Sequence, residues 1–534
     1  MKYSILKNKW FLYITEFFAG LAIMAVELGA SRLLAPYFSS SQIVWTIIIG
    51  TIMIAMALGN LYGGKSSDKD PDPAKLYRRI LIAAVWIGLI PVLGKYVILG
   101  VSALLIFTVN TNYLVIASFA SCMILFVCPL FLLGTVTPSL VKAAVDSLDD
   151  SGSIVGRLGA CNTVGSILGT FLPTFVTIPA VGTSVTFLIF AGILLVVALI
   201  FFISAGSGRK AIVIGAVLFA VSLVFGRSNS FAFWEKDLLY EGESVYNYLQ
   251  IREDEREVIL STNVLFGVQS VMMKDDGLTG MYYDYALAAP AMAEEQEAPE
   301  ILVLGNGTGT YAKQCLRYYP LCSVEGVEID AAITDLAARY FAMPGNVKVT
   351  EYDGRAFLQE VDKTYDVILV DAYQDITIPF QMSSVEFFDL VKARLNPGGI
   401  MAVNLNMHSR AEDSISSWLC DTVSAVFPYV SVMDVPLSTN RMLFASEKAR
   451  PAQLLEEGLQ KLPEGELKAL LQHTQRELTP YYSGGKCLTD EKAPVELLGM
   501  RMIDEIIGEE LQYYKGIYRR EGLQGVLNLI LGPA

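Results

Sequence analysis

The chain has 534 residues, of which 53% are hydrophobic and 18% charged, and its formal net charge is −14. Soluble chains carry about 25% charged residues, so this composition argues against a purely soluble protein, and its high apolar content rules out disorder as the main state. Seven cysteines without a CxxC pair and only two histidines argue against a disulfide framework and a histidine-based metal centre.

The charge is distributed unevenly along the chain. The first 230 residues hold 15 basic and 8 acidic side chains, whereas the remaining 304 hold 25 basic and 46 acidic ones. An acidic second half argues against nucleic acid as a partner, because binding phosphates requires a basic surface. The net value therefore averages two regions that face different solvents.

Long apolar runs predict a polytopic helical membrane domain over residues 1–230. The runs lie at 10–31, 42–63, 80–105, 112–137, 159–180 and 184–204, with a shorter one at 211–225. All but the last are long enough to cross about 30 Å of hydrocarbon, so six or seven spans are predicted. Basic residues before the first run and in every second loop predict a cytoplasmic N-terminus. Six spans would leave the second half of the chain in the cytoplasm and seven would leave it outside, so the sequence leaves its side of the membrane open.

Two carboxylates interrupt the first apolar run. Glu16 and Glu27 are eleven residues apart, which places them on nearly the same face of a helix, about 16 Å from each other. Ionisable groups at this depth line a polar site or a cation path, or else are buried carboxylates paired with a neighbour such as Arg32. Gly165 and Gly169, further along, have the spacing that allows two membrane helices to approach closely.

After Arg227 the pattern changes to strands that alternate with amphipathic helices. Strands are predicted at 301–305, 324–330, 347–353, 365–371 and 400–406, with further candidates at 429–435 and 442–445. Strands and helices alternating at this spacing indicate a Rossmann-like parallel α/β sheet. Ligands of such sheets bind at the carboxyl ends of the strands, where the strand order reverses.

Four consecutive strand ends carry residues suited to a nucleoside. The first strand runs into the turn Gly305-Asn-Gly307-Thr308-Gly309, whose glycines allow a ligand to approach the backbone. Glu328 closes the second strand and can accept hydrogen bonds from ribose hydroxyls. Asp353-Gly354 closes the third, where a carboxylate can meet the exocyclic amine of a base, and Asp371 closes the fourth beside the expected reaction centre.

The turn differs from that of a dinucleotide-binding fold. No basic residue lies near it to meet a pyrophosphate, and the first one that follows is Lys313. The pattern therefore favours an adenosyl group joined to an uncharged or cationic part, as in S-adenosylmethionine.

At these residues the sequence resembles the spermidine synthase (polyamine aminopropyltransferase) family, in its membrane-fused bacterial branch. The motifs that carry the resemblance are Ser244-Val-Tyr246-Asn247, Phe266-Gly-Val-Gln269, Tyr282-Tyr-Asp-Tyr285, the glycine turn, Gly326-Val-Glu-Ile-Asp330, Asp353-Gly-Arg355, residues 365–371 and 488–496, and in the membrane half residues 27–36. The resemblance implies a seven-stranded methyltransferase-like sheet preceded by a small β region. We therefore expect three domains, at 1–230, 231–290 and 291–534.

The resemblance also implies a reaction and site residues. The reaction is transfer of a 3-aminopropyl group from decarboxylated S-adenosylmethionine to an amine such as putrescine, with release of methylthioadenosine and without a metal. Asp371 is implied as the base that deprotonates the amine, Glu328 as the ribose ligand and Asp353 as the adenine partner. The other implied donor ligands are Gly305, Gly307, Thr308, Gly309, Gly354 and Asn247, and the implied acceptor ligands are Tyr246, Gln269, Asp284, Tyr373 and Asp375.

Several positions depart from the family pattern. Thr308 replaces an acidic residue of the glycine turn, Gln374 stands where a second acid is expected, and Asn247 replaces a glutamine. Losing an acid reduces repulsion of a carboxylate, so intact S-adenosylmethionine becomes an alternative donor. Two other functions stay open: a methyltransferase or alkyltransferase with a different acceptor, and a nucleoside-regulated transporter or sensor.

The cellular setting follows from the donor and the apolar runs. S-adenosylmethionine is made in the cytosol, so we expect an integral protein of the bacterial cell membrane with its catalytic half in the cytoplasm. The expected partners are a small-molecule acceptor and the lipid bilayer, without nucleic acid, and the family also suggests a homodimer.

Overall fold

The structure, a computed structural model, describes residues 4–109, 111–145, 151–228, 230–235, 237–264, 268–372, 378–406 and 413–531. Its first half is helical and its second half contains two β-sheets, which confirms the predicted combination of a helical N-terminal region and an α/β C-terminal fold.

The helical half begins with a 3₁₀ turn, Ser4–Lys7, and continues with nine α-helices. They are α1 (Lys9–Phe38), α2 (Gln42–Lys69), α3 (Pro73–Thr108), α4 (Tyr113–Leu125), α5 (Val127–Gly134), α6 (Val136–Ala144), α7 (Ser151–Leu172), α8 (Ile178–Ser204) and α9 (Arg209–Phe225), with a π-helical segment, Pro173–Thr177, between α7 and α8. Side-chain caps begin the first three: Asn8, Ser41 and Asp72 each accept a hydrogen bond from the first turn.

Five helical stretches of the described chain are long and apolar enough to cross a membrane, so the predicted count of six or seven is not confirmed. One of them, Ser151–Ser204, has 54 residues, or about 80 Å at 1.5 Å per residue, far more than one crossing requires. It is interrupted at Gly182, which has φ 79° and ψ 170°. The run predicted at 112–137 is divided among α4, α5 and α6. The helix at 209–225 is not among the five.

Glu16 is a buried carboxylate with polar neighbours, one of the two alternatives considered, but Arg32 is not among those neighbours. Glu16 is completely buried, and its Oε1 accepts hydrogen bonds from Thr137 Oγ1 at 2.5 Å and Asn162 Nδ2 at 2.9 Å. Arg32 instead donates to main-chain carbonyls of the second half of the chain. Polar partners on two other helices therefore satisfy one oxygen of this carboxylate.

Helices α1 and α7 pack at very short range through glycines. A Cβ atom at Gly165 would lie 2.0 Å from Phe17 O, and one at Gly169 would lie 2.2 Å from Leu21 O. Backbones can approach this closely only where one helix has no side chain, so the predicted close approach at these glycines is confirmed.

We expect Gly165→Ala to lower the thermal midpoint of the detergent-purified protein. The added methyl group must push α7 away from α1, and overpacking of this kind costs about 1–3 kcal/mol. Gly159 lies on the same helix with no atom within 4 Å of its Cβ direction, so Gly159→Ala is the matched control. Equal midpoints for the two variants would contradict this account of the packing.

The second half contains a small sheet followed by a large one. The small antiparallel sheet has the order β1 (Leu238–Glu243), β2 (Tyr248–Glu253), β3 (Glu257–Ser261) and β4 (Ser270–Met273). The large sheet has eight strands: β5 (Glu300–Leu304), β6 (Ser323–Glu328), β7 (Lys348–Glu351), β8 (Tyr365–Val370), β9 (Leu395–Leu405), β10 (Tyr429–Asp434), β11 (Arg441–Ser446) and β12 (Thr479–Pro480). The resemblance implied seven strands, and the additional one, β12, has only two residues.

The second half also contains the following helices, most of which connect strands of the large sheet. They are α10 (Tyr282–Ala286), α11 (Ala288–Met292), α12 (Thr310–Tyr318), α13 (Ala331–Tyr340), α14 (Gly354–Glu360), a 3₁₀ turn (Phe380–Met382), α15 (Val385–Ala393), α16 (Ile415–Val426), α17 (Pro451–Leu459), α18 (Glu466–Glu477) and α19 (Val495–Leu531). The first five strands are parallel in the order β9-β8-β5-β6-β7, whereas β10 and β11 form an antiparallel hairpin. The strand order reverses between β5 and β8, so the expected binding crevice lies at their carboxyl ends.

Candidate active site

The glycine turn lies at this reversal point, directly after β5. Gly305, Gly307 and Gly309 have φ angles of 83°, 53° and 81°, in the left-handed region that favours glycine. A Cβ at Gly305 would lie 2.4 Å from Asp371 O, and one at Gly309 would lie 1.9 Å from Met343 Sδ. The turn therefore requires glycine both for its conformation and for its close contacts.

Glu328 is held beside the turn at the end of β6. It is 7% exposed, and its carboxylate accepts hydrogen bonds from the main-chain N–H of Gly307 at 2.8 Å and of Asp330 at 3.1 Å. Burial raises the pKa of Glu328. A carboxylate has about four lone-pair positions, so it can accept a hydrogen bond from a ligand in addition to those from the main chain.

Asp371 follows β8, and its main-chain N–H donates to Leu304 O at 2.8 Å, which joins the ends of β8 and β5. Its carboxylate accepts hydrogen bonds from Tyr282 Oη at 2.6 Å and Asn404 Nδ2 at 2.9 Å. Burial raises the pKa of Asp371 to about 7, although these two hydrogen bonds act in the opposite direction, and the nearby charge of Glu328 raises it further. The group can therefore gain and lose a proton near neutral pH.

Tyr282 and Asn404 were not predicted from the sequence as site residues. Burial, followed by the charge of Asp371, holds the pKa of Tyr282 well above its usual value, so its hydroxyl stays a hydrogen-bond donor. Asn440 Nδ2 donates to Asn404 Oδ1 at 2.9 Å, which orients the amide group of Asn404. Tyr282 opens the Tyr282-Tyr-Asp-Tyr285 motif of the resemblance and Asn404 lies in an apolar stretch of β9, but neither pattern indicates a contact with Asp371.

The remaining predicted donor ligands make hydrogen bonds within the protein. Asp353 is the N-cap of α14 and accepts a hydrogen bond from Ala356 N at 2.9 Å, with Gly354 as the first residue of that helix. Asn247 donates from Nδ2 to Asp330 Oδ2 at 2.9 Å. Thr308 is buried, and its N–H donates to Ser270 Oγ at 3.3 Å.

The predicted acceptor ligands are placed as follows. Gln269 is half-buried, and its carbonyl accepts a hydrogen bond from Tyr283 Oη at 2.9 Å, whereas Tyr246 is 47% exposed. Asp284 is buried and accepts hydrogen bonds from the main-chain N–H groups of residues 279 and 280, from the hydroxyl at 279 and from Gln314 Nε2. Four protein donors fill the roughly four lone-pair positions of the Asp284 carboxylate, so we leave it out of the proposed acceptor site. Tyr373 and Asp375, together with Gln374, lie outside the described residues.

A cavity of about 340 Å³ adjoins the turn between β4 and α12. Thr308 and Thr310 are among its lining residues, and their hydroxyl oxygens are 3.4 Å apart. Lys313 also lines the cavity and is paired with Asp276 at 2.6 Å. In the described part of the chain, no group of three or more histidine, cysteine, aspartate or glutamate side chains is arranged to hold a metal ion.

The arrangement as a whole can bind a ribose-like group and take a proton from a reactant. Glu328 and the turn offer a carboxylate and close backbone access to a ribose-like group, while Asp371 offers a carboxylate that can take up a proton near neutral pH. Glu328 ends β6 and Asp371 follows β8, on either side of β5 and its glycine turn, so one ligand lying over the turn can contact both.

Comparisons with known proteins indicate the family to which the chain belongs. A family model described as "Spermine/spermidine synthase domain" matches residues 281–453. A probable polyamine aminopropyl transferase of Bifidobacterium longum is 49% identical over 349 residues, covering 62% of this chain and 78% of its own length. A polyamine aminopropyltransferase of Oceanobacillus iheyensis is 26% identical, covering 74% of this chain and 84% of its own.

Solved structures of the same kind are also similar to this chain. A probable spermidine synthase from Corynebacterium glutamicum has 20% sequence identity and a TM-score of 0.38, covering 47% of this chain and 96% of its own. The identity with the Bifidobacterium protein, over more than three quarters of that protein's length, carries the assignment. The chain therefore belongs to the spermine/spermidine synthase family and is a transferase.

Proposed function

We propose that this protein transfers a 3-aminopropyl group from decarboxylated S-adenosylmethionine to a primary amine such as putrescine, releasing methylthioadenosine. The observation that carries the proposal is the environment of Asp371: a carboxyl with a pKa of about 7, held by Tyr282 and Asn404 beside a glycine turn and a second carboxylate. Family membership supports the same reaction.

Glu328 binds the donor in this proposal. Its free lone pairs accept hydrogen bonds from the two ribose hydroxyls, while the turn passes close to the adenosyl group. Asp353 is assigned to the adenine amine. One of its oxygens caps α14, which leaves the other for the ligand.

Asp371 acts on the acceptor. An amine that arrives as an ammonium ion transfers one proton to the Asp371 carboxylate, and its freed lone pair attacks the carbon next to the donor sulfur. A new C–N bond forms, and the C–S bond breaks with its electron pair going to sulfur. The sulfonium thus leaves as the neutral thioether methylthioadenosine. Tyr282 and Asn404 hold the carboxylate in position by donating to one oxygen each.

The membrane half anchors the enzyme in this proposal. The long apolar helices of residues 1–230 lie in the cell membrane, and residues 231–290 and 291–534 form the catalytic half on its cytoplasmic side, where the donor is made. The apolar helices support the anchoring by their length and composition.

One observation favours intact S-adenosylmethionine as a second candidate donor. Thr308, buried in the turn, presents an uncharged hydroxyl to a cavity that the cationic groups Lys313 and Arg317 also line. Such a wall repels a donor carboxylate less than an acidic residue at position 308 would.

Donor binding separates the two candidates. We expect isothermal titration of the detergent-purified full chain to give at least about tenfold tighter binding of decarboxylated than of intact S-adenosylmethionine, a difference of about 1.4 kcal/mol. Methylthioadenosine should compete with both donors. The reverse preference would favour the second candidate, and no binding of any of the three compounds would overturn the proposal.

We expect activity to rise with pH up to about 7 and then level off. Asp371 must be ionised to accept a proton, and burial raises its pKa to about 7. Below that value kcat at saturating substrates should fall about tenfold per pH unit. The check is a pH profile of methylthioadenosine release, and a profile that is flat between pH 5 and 8 would contradict the role of Asp371.

The same pKa has a consequence for stability. A carboxyl whose pKa is higher in the folded than in the unfolded state contributes stability at low pH, and this contribution is lost as pH rises through the folded pKa. Between pH 4 and 7 the wild type should therefore lose thermal stability relative to Asp371→Asn. If the thermal midpoints of the wild type and of Asp371→Asn differ by the same amount at every pH in that range, the pKa of Asp371 is not raised.

A further inference from the structure

Arg32, in the first apolar helix, reaches the catalytic half. It lies in the last two turns of α1, and its guanidinium donates to the carbonyl of Ser244 at 3.3 Å and to that of Val245. These two residues belong to the turn between β1 and β2. A planar guanidinium that holds two successive carbonyls restrains the turn more than a single hydrogen bond would.

That turn holds Asp330, which is 2% exposed. Asp330 Oδ2 accepts hydrogen bonds from Ser244 Oγ at 2.5 Å and from Asn247 Nδ2 at 2.9 Å. Ser244 Oγ in turn accepts from the N–H of Asn247 at 2.8 Å, which closes the turn. The position of the Asp330 carboxylate therefore depends on the turn that Arg32 restrains.

Asp330 completes the path to Glu328. Its main-chain N–H donates to Glu328 Oε1 at 3.1 Å, while its Oδ1 caps α13 by accepting from Ala332 N at 3.1 Å. A shift of Asp330 would move one of the two N–H groups that orient the Glu328 carboxylate. The contacts run without a break from a membrane helix to the proposed ribose ligand.

A second contact fixes the other end of the turn. Glu243, just before Ser244, accepts hydrogen bonds from the N–H of Thr183 at 2.8 Å and from its hydroxyl at 2.6 Å. Thr183 follows the break at Gly182, so Glu243 caps the helical segment that starts there. The turn is thus held by both α1 and α8.

We propose that Arg32 is a positioning residue of the donor site, so that the membrane half completes the site instead of only anchoring it. The inference rests on the proposed function, in which Glu328 binds the ribose of the donor. It explains why a buried, polar contact network joins the two halves at this turn.

The test compares Arg32→Gln with Lys95→Gln in the full-length protein. Lys95 also lies in an apolar helix and donates to a main-chain carbonyl beyond the bundle, that of Ser230 at 2.8 Å. Ser230 lies before β1, outside the turn that holds Asp330, so this variant loosens the junction without touching the turn. The readouts are the Kd for methylthioadenosine, the donor KM and kcat, and the thermal midpoint.

We expect Arg32→Gln to raise the Kd for methylthioadenosine and the donor KM by about tenfold, with kcat within about twofold. Lys95→Gln should leave the Kd within about twofold of wild type. Arg32→Lys keeps the charge but holds the two carbonyls less well, so its Kd should lie between those of Arg32→Gln and wild type. This variant provides the test if Arg32→Gln does not fold.

Two results would overturn the inference. One is a Kd in both Arg32 variants equal to that of wild type, and the other is an equal rise in the Arg32 and Lys95 variants, which would mean a general loosening of the junction. Absence of methylthioadenosine binding by the wild type would instead overturn the proposed function, and the inference would fall with it.

Discussion

We expect Asp371→Asn to lower kcat by about 10²–10⁴-fold and to change the donor Kd by less than about twofold. Asparagine keeps the shape of the side chain and can still accept a hydrogen bond from Tyr282 Oη. It cannot take a proton from an ammonium ion, so the acceptor keeps its proton and its lone pair stays unavailable. The donor is held by other groups, so its affinity should change little. Steady-state kinetics and titration with methylthioadenosine measure the two quantities separately.

Asp366→Asn is the matched control for this variant. Asp366 lies on the same strand and is buried, but it accepts hydrogen bonds from Glu300 N and Asn396 Nδ2 away from the glycine turn. We expect a change in stability and not in kcat. If Asp371→Asn keeps more than about a tenth of wild-type kcat, a loss far below that of a removed general base, then Asp371 is not the base.

Glu328→Gln raises the Kd for methylthioadenosine by about 10- to 150-fold, because a hydrogen bond to a charged group contributes about 1.5–3 kcal/mol. The neutral amide of glutamine accepts hydrogen bonds through its single oxygen only. Its NH₂ group takes the place of the other carboxylate oxygen and therefore faces a main-chain N–H donor. Ribose hydroxyls therefore lose their partner, and the main-chain N–H of Gly307 or Asp330 loses its own. We expect kcat at saturating donor to change far less than KM.

Glu325→Gln provides the comparison on the same strand. Glu325 is paired with Lys348 at 2.9 Å and accepts from Tyr365 Oη at 3.0 Å, and it lies outside the turn. Its substitution should leave the Kd unchanged. A Glu328→Gln variant that binds methylthioadenosine as wild type does would show that the ribose is held elsewhere.

The sequence predicted the large sheet well because its strands are short apolar runs that end in turns. Strand β9 begins earlier than predicted, at Leu395, because Leu395 pairs with Tyr365 before an irregular Asn-Pro-Gly-Gly segment in which Gly398 has φ 78°. Glycine and carboxylate residues at strand ends were also visible in the sequence, because parallel topology brings successive strand ends together. The turn, Glu328 and Asp371 could be recognised on that basis.

The contacts made across the fold could not be predicted in this way. Tyr282 is 89 residues before Asp371 and Asn404 is 33 residues after it, and no local pattern links them. Asp284 seemed suited to an acceptor, yet protein donors engage both of its oxygens. Arg32 was interpreted as a partner for a carboxylate in its own helix, whereas it reaches the second half of the chain. The membrane spans were predicted less well, because a hydropathy run does not show that residues 112–137 are divided among α4, α5 and α6.

The most direct test of the central claim is product analysis after incubation of the purified full chain with decarboxylated S-adenosylmethionine and isotopically labelled putrescine. We predict labelled spermidine and methylthioadenosine in equal amounts, both lowered at least about 100-fold by Asp371→Asn. Donor breakdown without labelled spermidine, or formation of S-adenosylhomocysteine in a parallel incubation with intact S-adenosylmethionine, would contradict the account.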